Sequence, residues 1–525
     1  NPLFMALLRS IATVGGYTMA SRVLGFVRDI LVARVLGATP MGDAWQLAFM
    51  LPNIFRRLFA EGAFASAFVP LFNRRMVEGQ SEAQRFAESV LSVLLPILIV
   101  FGGLAMVAMP WVVAYFAPDG LESDPEALPI AVMMARITFP YLLFMSLATL
   151  VAAVLNSLSR FAAAAAAPVL LNLCLIAALL YGASLGEGVM ARRESAFWQS
   201  VALSASGLLQ LVWLAFWMHR AGFRIRLLLP RVSPGVKELG VLIVPAVFGA
   251  GIYQISRFID LFFLSTLEVG SYTYLAMADR WNQLPLGIIG IALGTAILPA
   301  LSRYLARSED AEAQRLQSNA IELAMLLTVP AAVALFVAGS AFTRVFFAGG
   351  AFSVEDAMIT GTVVSGLVIG LPAYVLIKVL TPNFFARKDT RTPVFTAAAS
   401  LVVTVGLNIL LVPRLGVLAL AVAGSIGAWC NVMLLYAILV RRGYFRLPSR
   451  IAGRIVRIFI AALAMALALW ALMGPLDPWF DGTILQRAGG IAAVTLTGSA
   501  VYGIAAILLG VLDRATIARL MRRQT

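Results

Sequence analysis

The stretch Ile11–Ala38 reads IATVGGYTMASRVLGFVRDILVARVLGA. It is long enough for a helix that crosses a bilayer, which needs about 20 mostly apolar residues. Arg22 and Arg28 nevertheless lie in its middle. A charge at the bilayer centre costs roughly 2.5–3.5 kcal/mol, so such residues normally face a partner or a water-filled cavity. The two arginines therefore indicate a functional site within the membrane.

The composition of the chain is that of a membrane protein. Of its 525 residues, 61% are hydrophobic and only 13% are charged. Cys174 and Cys430 both lie inside apolar runs, which argues against a disulfide framework or a metal site. His219, the one histidine, stands at the end of an apolar run beside Arg220, where an interfacial role is expected rather than a catalytic one.

Hydropathy predicts an all-α integral membrane protein with fourteen transmembrane helices. The approximate limits of these spans are 9–38, 42–72, 84–116, 127–156, 160–184, 196–219, 235–264, 271–304, 317–347, 355–385, 392–412, 416–440, 453–474 and 488–511.

The charges of the connecting loops alternate along the chain. Loops after even-numbered spans are basic, whereas loops after odd-numbered spans are short or acidic, as in Pro118–Ala127 and Leu476–Gly482. The positive-inside rule then places both termini in the cytoplasm. Most of the net charge of +14 thereby reflects topology, and no nucleic-acid partner is expected. The exceptions to the alternation are Arg192, Arg193, Arg344 and Arg414.

The basic segment after span 6 reads FRIRLLLPRV (Phe223–Val232). Its mixture of arginines and leucines predicts a short helix that lies on the anionic inner leaflet.

Two segments of the chain repeat each other at one fixed offset. Ala63–Arg74 (AFASAFVPLFNR) and Ala292–Arg303 (ALGTAILPALSR) share two alanines, a proline and an arginine. Phe139–Pro140 in span 4 and Leu371–Pro372 in span 10 also correspond. We interpret these matches as two parallel six-helix halves followed by two extra helices, an arrangement common among secondary transporters. The predicted parts are an N-lobe at 1–222, a cytoplasmic interfacial linker at 223–234, a C-lobe at 235–442, and 443–525 with spans 13 and 14 and a basic tail.

Some charges within the spans have local partners. Arg57 and Glu61 are four residues apart, and Arg257 and Asp260 are three apart, so each pair lies on one face of a helix. We predict that these two pairs are structural.

Other charges within the spans lack such partners. They are Arg22, Arg28, Arg56, Arg280 and Lys378. One alternative is pairing with Asp29, Asp43 or Asp279 on neighbouring helices. The other is that several of the cations converge on a cavity and bind an anion, since the planar arginine fork suits a phosphate at any pH. Asp279 adjoins Arg280, but adjacent helix residues do not face each other.

Signatures of common enzyme sites are absent from the sequence. It contains no phosphate-binding P-loop, no zinc-ligand cluster and no Ser/His/Asp set, and its loops are too short for a catalytic domain. The chain is therefore predicted to be a transporter without a cofactor, driven by an ion gradient such as sodium or by the membrane potential.

Four strings of residues resemble one known family over nearly the whole chain. They are SRVLGFVRDILVARVLGA from Ser21, GDAWQLAFMLPNIFRRLFAEGAFASAFVP from Gly42, ADRWNQLPLGIIGIALGTAILP from Ala278 and IKVLTPNFFARKDTRTP from Ile377. They resemble the bacterial lipid II flippases of the MurJ (MviN) family, in the multidrug/oligosaccharidyl-lipid/polysaccharide exporter superfamily. The resemblance implies two lobes around a central cationic cavity and alternating access. The implied substrate is the undecaprenyl-diphosphate-linked peptidoglycan precursor, moved across the bacterial inner membrane to its periplasmic leaflet.

The resemblance also implies roles for particular residues. Arg22, Arg28, Arg56 and Arg280 match family arginines that line the cavity, where they would bind the diphosphate. Supporting cavity charges would be Asp29, Asp43, Asp279 and Lys378, and candidate sodium ligands would be Asp260, Asn383 and Asp389. Gln283 departs from members that have a glutamate there, which leaves the charge balance beside Arg280 open. The last two spans would form a groove for the lipid tail, and further partners would be membrane lipids and the cell-wall synthesis and division machinery.

Rival functions make different demands on the sequence. A cation-coupled drug exporter of the same superfamily would place acidic and aromatic residues in its cavity, and an exporter of other polyprenyl-linked oligosaccharides would differ in its head group. An enzyme acting on polyprenyl phosphates would need an acidic metal-binding motif or a long catalytic loop. The arginines within the spans favour the flippase.

Overall fold

The computed structural model describes residues 2–57, 63–121 and 126–512. These residues form α-helices joined by short connections, and no β-strand occurs among them. The helices are α1 (Pro2–Leu36), α2 (Pro40–Arg56), α3 (Ala63–Glu78), α4 (Gln80–Phe116), α5 (Ala127–Thr138), α6 (Pro140–Ser157), α7 (Phe161–Ser184), α8 (Val189–Arg220), α9 (Pro234–Ser265), α10 (Ser271–Pro285), α11 (Ile291–Ala306), α12 (Asp310–Phe347), α13 (Val354–Val368), α14 (Leu371–Ala386), α15 (Arg391–Leu415), α16 (Val417–Arg441), α17 (Ser449–Phe480) and α18 (Ile484–Leu508). A π-helical segment, Leu286–Gly290, joins α10 to α11.

The all-α membrane fold predicted from hydropathy is confirmed. Within the described part of the chain, ten helical segments are long and apolar enough to cross a membrane. Each predicted span overlaps either one helix or two consecutive helices. Spans 4 and 10, at equivalent places in the two halves, both divide at the prolines singled out in the sequence. Pro140 begins α6 and Pro372 lies in the first turn of α14, where the missing N–H and the fixed φ of proline favour a helix start.

The described residues form two compact units. Unit 1 runs to Thr273 and includes Gly349–Phe352, and unit 2 contains Tyr274–Ala348 and the residues from Ser353 onward. The division differs from the predicted lobe boundaries, because α9 belongs to unit 1. There it packs against α3 and α4, and Glu238 near its start accepts a hydrogen bond from Arg74 at 2.7 Å.

The core of each unit is apolar. In unit 1, Phe68 stacks on both Phe72 and Phe86 at ring-centroid distances of 5.5 and 5.4 Å. In unit 2, Leu301 on α11 and Val379 on α14 are fully buried and belong to one cluster of apolar side chains. These cores hold the helices that carry the charged residues.

The linker between α8 and α9 is not the short helix that the sequence predicted. Residues 223–233 have no helical structure. Instead the linker runs beside α4, where Glu88 accepts the backbone N–H of Arg226 at 3.0 Å and Ser92 accepts that of Arg231 at 3.4 Å. Pro230 lacks an N–H and disfavours helix around it, so side chains of α4 take the place of helical acceptors. Leu227 and Leu229 remain 70% and 86% exposed.

The last two helices pack as a pair against α12 of unit 2. Arg454 at the start of α17 donates to Glu322 at 2.6 Å, and both side chains are nearly buried. Near the other end of α17, Arg344 pairs with Asp477 at 2.5 Å and with Asp481. Ion pairs near both ends of α17 thus attach it to α12.

Two of the arginines that break the loop-charge pattern are neutralised by acidic residues. Arg344 binds Asp477 and Asp481, which lie in the acidic segment after span 13. Arg193, after span 5, binds Glu126 in the acidic segment after span 3. In each case the partners follow odd-numbered spans, so the pairing agrees with the predicted alternation.

Candidate functional site

Arg28 is buried in unit 1 and held by two side chains. Arg28 is only 7% exposed. Its Nε and Nη2 donate to Oδ1 of Asp29 at 3.1 and 2.8 Å, and its Nη1 donates to Oδ1 of Asn172 on α7 at 3.1 Å. The guanidinium also lies 5.5 Å from the ring centre of Phe49. Asp29 is therefore the ion-pair partner of its sequence neighbour, because a long arginine side chain can bend back toward the adjacent carboxylate.

Arg22 lies one to two turns before Arg28 on the same helix and is half-buried. The residue beside it, Ser21, accepts two contacts from the amide of Asn172. The Nδ2 of Asn172 donates to the carbonyl oxygen of Ser21 at 2.9 Å and lies 3.3 Å from its hydroxyl. One asparagine on α7 therefore contacts α1 both next to Arg22 and at the guanidinium of Arg28.

Arg56 occupies the last turn of α2 and is half-buried. Its Nε donates to Oδ1 of Asn53 at 3.1 Å, and the amide of Asn53 in turn donates to the carbonyl oxygen of Phe49 at 2.7 Å. This short chain of hydrogen bonds orients the arginine from within its own helix. Arg57 is exposed, and its predicted partner Glu61 lies outside the described residues.

Asp43, proposed from the sequence as a supporting cavity charge, is bonded to the start of α10. It is fully buried. Its carboxylate accepts the backbone N–H of Gly270 at 2.6 Å, the backbone N–H of Thr273 at 3.0 Å and the hydroxyl of Thr273 at 2.7 Å. A carboxylate at the first N–H groups of a helix satisfies donors that have no helical partner. Asp43 thus anchors the start of α10 within unit 1.

Arg280 and Asp279 on α10 are connected by one glutamine. Gln283 donates from Nε2 to Asp279, and its Oε1 accepts from Nη1 of Arg280 at 3.3 Å. The charge balance that this glutamine left open is therefore resolved, because a neutral amide bonds both charges at once. Asp279 and Arg280 are half-buried.

Lys378 on α14 lies against the glycines that follow α10. A Cβ atom built on Gly290 would lie 3.2 Å from Cδ of Lys378 and 3.6 Å from its Nζ, and one built on Gly294 would lie 3.7 Å from its Cβ. Gly290 ends the π-helical segment, and π-helical turns frequently occur at functional sites. The lysine side chain therefore packs closely against the backbone at Gly290 and Gly294, where no side chain stands in its way.

Arg257 and Asp260, predicted to pair, form an ion pair at the long end of the distance range. Nη1 of Arg257 lies 3.9 Å from Oδ2 of Asp260, and the two side chains are 31% and 25% exposed. An ion pair of this length and exposure contributes at most about 1 kcal/mol.

Two of the three candidate sodium ligands already accept strong donors. Asn383 accepts from Nη1 of Arg387 and donates to Gln317. Asp389 accepts the backbone N–H groups of Arg391 and Thr392 at 3.1 and 3.0 Å. These contacts do not favour a cation at Asn383 or Asp389.

Asp389 has further donors of its own. They come from the Thr392 hydroxyl at 2.6 Å and from Arg442 at 2.5 Å. Partial desolvation raises its pKa, but the hydrogen bonds outweigh it and lower the pKa of Asp389 to about 2. Asp260, the third candidate, lies in unit 1, whereas the other two lie in unit 2. Over the described ranges no group of three or more His, Cys, Asp or Glu residues is placed to hold a metal ion.

Sequence reasoning did not predict the hydrogen bonds between neutral side chains and the arginines, although it singled out Gln283 beside Arg280. Asn172, Asn53 and Gln283 each accept a hydrogen bond from an arginine assigned to the candidate site. For Asn53 and Gln283 the signal was available, since each lies three residues from its arginine on one helix face. Asn172 is 144 residues from Arg28 in the sequence, and only the folded chain brings them together.

Comparison with known proteins identifies the relatives of the chain. A family model described as lipid II flippase MurJ matches residues 32–488. A probable lipid II flippase MurJ from Rhizobium meliloti (strain 1021) is 41% identical over 526 residues, covering 99% of this chain and 97% of the relative. A lipid II flippase MurJ from Burkholderia cenocepacia is 34% identical over 518 residues, covering 97% of each chain.

Solved structures share the fold. A structure described as lipid II flippase MurJ in an inward closed conformation aligns with a TM-score of 0.76 at 24% identity, covering 94% of this chain and 98% of the other. An inward-facing multidrug resistance transporter of the MATE family aligns with a TM-score of 0.66 at 14% identity, covering 82% and 97% of the two chains.

Proposed function

The chain belongs to the lipid II flippase MurJ family, and from this membership we propose that it moves lipid II across the bacterial inner membrane. Lipid II is an undecaprenyl-diphosphate-linked peptidoglycan precursor, and its head group would travel from the cytoplasmic to the periplasmic leaflet. As a flippase, the protein is a transporter. A cation-coupled drug exporter, the rival from the same superfamily, is not favoured, since the relatives over nearly the full chain are lipid II flippases.

The proposed topology has fourteen spans with both termini in the cytoplasm. Ion pairs between distant loops support it, because each pair connects positions on the same predicted side. Arg193 with Glu126 and Arg344 with Asp477 lie on the predicted periplasmic side. On the predicted cytoplasmic side lies Arg442 with Asp389. Spans 1–6 and 7–12 would form the two lobes, which alternate in their access to the two leaflets.

The proposed ligands of the diphosphate are Arg22, Arg28, Arg56 and Arg280. Arginine binds phosphate oxygens through two N–H groups at once and stays charged at any physiological pH. Three of the four, Arg22, Arg56 and Arg280, are half-buried, so part of each side chain remains accessible. The side chain that best supports the site is Arg28, because a buried guanidinium held by two acceptors presents its remaining donors in a set direction.

The transport cycle follows from electrostatics. Bound diphosphate would offset the repulsion among the arginines and allow the lobes to close on the cytoplasmic side and open on the periplasmic side. An inside-negative membrane potential favours outward movement of the anion by about 2.3 kcal/mol per charge per 100 mV. A cation such as sodium moving with the anion would reduce this contribution.

The last two helices supply a surface for the lipid tail in this proposal. They pack against α12, and α17 presents apolar side chains away from that interface, including Leu463, Leu467 and Trp470, which are 60%, 61% and 74% exposed. Membrane lipids would contact the same surface. Proteins of cell-wall synthesis and division are further proposed partners.

Complementation in cells depleted of their own flippase tests the function. Arg22→Ala and Arg28→Ala should fail to support growth while the protein accumulates in the membrane. A leaflet-resolved assay should then find the lipid-linked precursor confined to the cytoplasmic leaflet.

Arg315→Ala is the matched control. The Arg315 side chain is 74% exposed and pairs only weakly with Glu312 three residues away, so this variant should grow normally. Normal growth of both the Arg22→Ala and Arg28→Ala variants would overturn the role of the arginines. Unchanged leaflet distribution after acute loss of the wild-type protein would overturn lipid II transport itself.

A further inference from the structure

Asn172 connects two helices of unit 1 through one side chain. It lies near the middle of α7 and is 5% exposed. Its Oδ1 accepts from Nη1 of Arg28, while its Nδ2 donates to the carbonyl oxygen of Ser21 at 2.9 Å and to that of Pro168 at 3.2 Å. Both ends of the amide are therefore bonded, and one of them reaches an arginine proposed to bind substrate.

We propose that Asn172 is a positioning residue that sets the orientation of the Arg28 guanidinium for the substrate diphosphate. This inference rests on the proposed function, because it requires Arg28 to be a ligand of that group. Asn172 itself does not contact the substrate in this proposal, since both ends of its amide are bonded within the protein.

The geometry of the Arg28 guanidinium explains why Asn172, its second acceptor, is needed to fix its orientation. Asp29 accepts from Nε and Nη2 through a single oxygen, Oδ1. Contact with one oxygen leaves the planar group able to tilt about that point. Asn172 accepts from Nη1 at 3.1 Å, and two acceptors at different nitrogens define the plane. Of the five N–H groups of an arginine, two then remain for an anion, on the Nη atoms.

The orientation of the Asn172 amide is itself determined by its surroundings. Its Nδ2 faces the carbonyl oxygens of Ser21 and Pro168, which can only accept. The reversed amide would place an NH₂ group against the guanidinium and an oxygen against two carbonyl oxygens. The structure thus requires an acceptor toward Arg28 and a donor toward α1, and an amide supplies both.

Close packing of α7 against α1 brings the amide within reach. The N-terminal part of α7 is the alanine run Ala162–Ala167, and small residues let helices in a membrane approach closely. A Cβ built on Gly25 of α1 would lie 3.7 Å from the Asn172 amide, an ordinary contact distance. Asn172 therefore sits in the interface between the two helices.

Binding of purified lipid II to the detergent-solubilised protein tests the proposal. Asn172→Leu keeps the approximate volume but removes the acceptor and the donor. We expect the Kd for lipid II to rise about tenfold, the size expected for one lost hydrogen bond to a charged group. In the Arg28→Ala background the same change should have no further effect on Kd, because the group that Asn172 orients is gone.

A buried asparagine elsewhere in the chain serves as the control. Asn408 on α15 is also fully buried, and its amide has no hydrogen-bond partner among the described residues. Asn408→Leu should leave the Kd for lipid II unchanged. If Asn172→Leu does not accumulate, Asn172→Ala removes the same hydrogen bonds without adding methyl groups.

The outcomes separate the two hypotheses. A wild-type Kd in Arg28→Ala would overturn Arg28 as a ligand and with it the basis of this inference. Weak binding in Arg28→Ala but a wild-type Kd in Asn172→Leu would overturn the positioning role alone. A loss in Asn172→Leu that adds in full to that of Arg28→Ala would also overturn it, since the effect would not then pass through Arg28.

Discussion

Arg28 on α1 and Arg280 on α10 differ in burial and in the helices that supply their hydrogen-bond partners. Arg28 is 7% exposed and is bonded to a carboxylate on its own helix and to an amide on another helix. Arg280 is half-buried and bonds Gln283 of its own helix at 3.3 Å. Both sequences place an aspartate directly beside the arginine, and in α1 the two residues form a buried salt bridge at 2.8 Å. A similar local sequence therefore produces one arginine that is buried and bonded to a second helix and one that is half-buried.

The comparison separates two uses of an intramembrane charge. A buried pair such as Arg28 and Asp29 costs desolvation energy, and removing one member takes an ion-pair partner away from the other buried charge. A half-exposed arginine keeps part of its hydration, so its removal affects the ligand more than the fold. Replacing Arg28 should therefore lower both stability and transport, whereas replacing Arg280 should lower transport with little loss of stability.

The largest expected difference is between Arg28→Ala and Arg280→Ala. Arg28→Ala breaks the buried pair between Arg28 and Asp29 and should lower the free energy of unfolding by on the order of 3–5 kcal/mol. Arg280→Ala removes a half-exposed side chain and should cost under about 1 kcal/mol. Thermal unfolding of both purified variants in the same detergent measures the difference. Equal losses of stability would show that the contrast between the two arginines is wrong.

An intermediate effect is expected from Gln283→Glu, which makes the α10 site more like the charged pair on α1. The new carboxylate would attract Arg280 and repel Asp279, its neighbour on the same helix face. We expect the Kd for lipid II to rise about two- to fivefold, because a negative charge beside a cationic ligand opposes an anion. The transport assay should still show substantial activity. Complete loss of transport would mean that Gln283 does more than balance two charges.

The smallest effect is expected from Arg257→Gln. Its contact with Asp260 is 3.9 Å long and both side chains are partly exposed, so the free energy of unfolding should change by less than about 1 kcal/mol. Growth of complemented cells should be normal. A growth defect with unchanged stability would move Arg257 from the structural group to the functional one.

Much of the fold was predictable because hydropathy is a local property. Each predicted span overlaps one helix or two consecutive helices, and the breaks in spans 4 and 10 fall at Pro140 and Pro372, where proline favours the start of a helix. The linker was predicted less well. Its leucines and arginines suit an amphipathic helix, but Glu88 and Ser92 of α4 bind its backbone and hold it extended.

The sequence predicted which residue types form the candidate site, but it did not predict the contacts that those residues make. The sequence separated Arg257, which forms its predicted pair, from the arginines without a carboxylate at helical spacing. It did not predict the hydrogen bonds of Asp43, whose carboxylate accepts from Gly270 and Thr273. These partners are more than 200 residues away, and no pattern near Asp43 points to them.

The sequence by itself determined that arginines lie within apolar helices, since the cost of a buried charge depends only on residue type and span position. It also determined the family, through motifs spread along the whole chain. Only the tertiary structure decided that Arg28 is buried and bonded to a second helix, whereas Arg280 is half-buried. The reason is that the second acceptor of Arg28 comes from Asn172 on another helix, 144 residues away, and packing of α7 against α1 is what brings the two within hydrogen-bond distance.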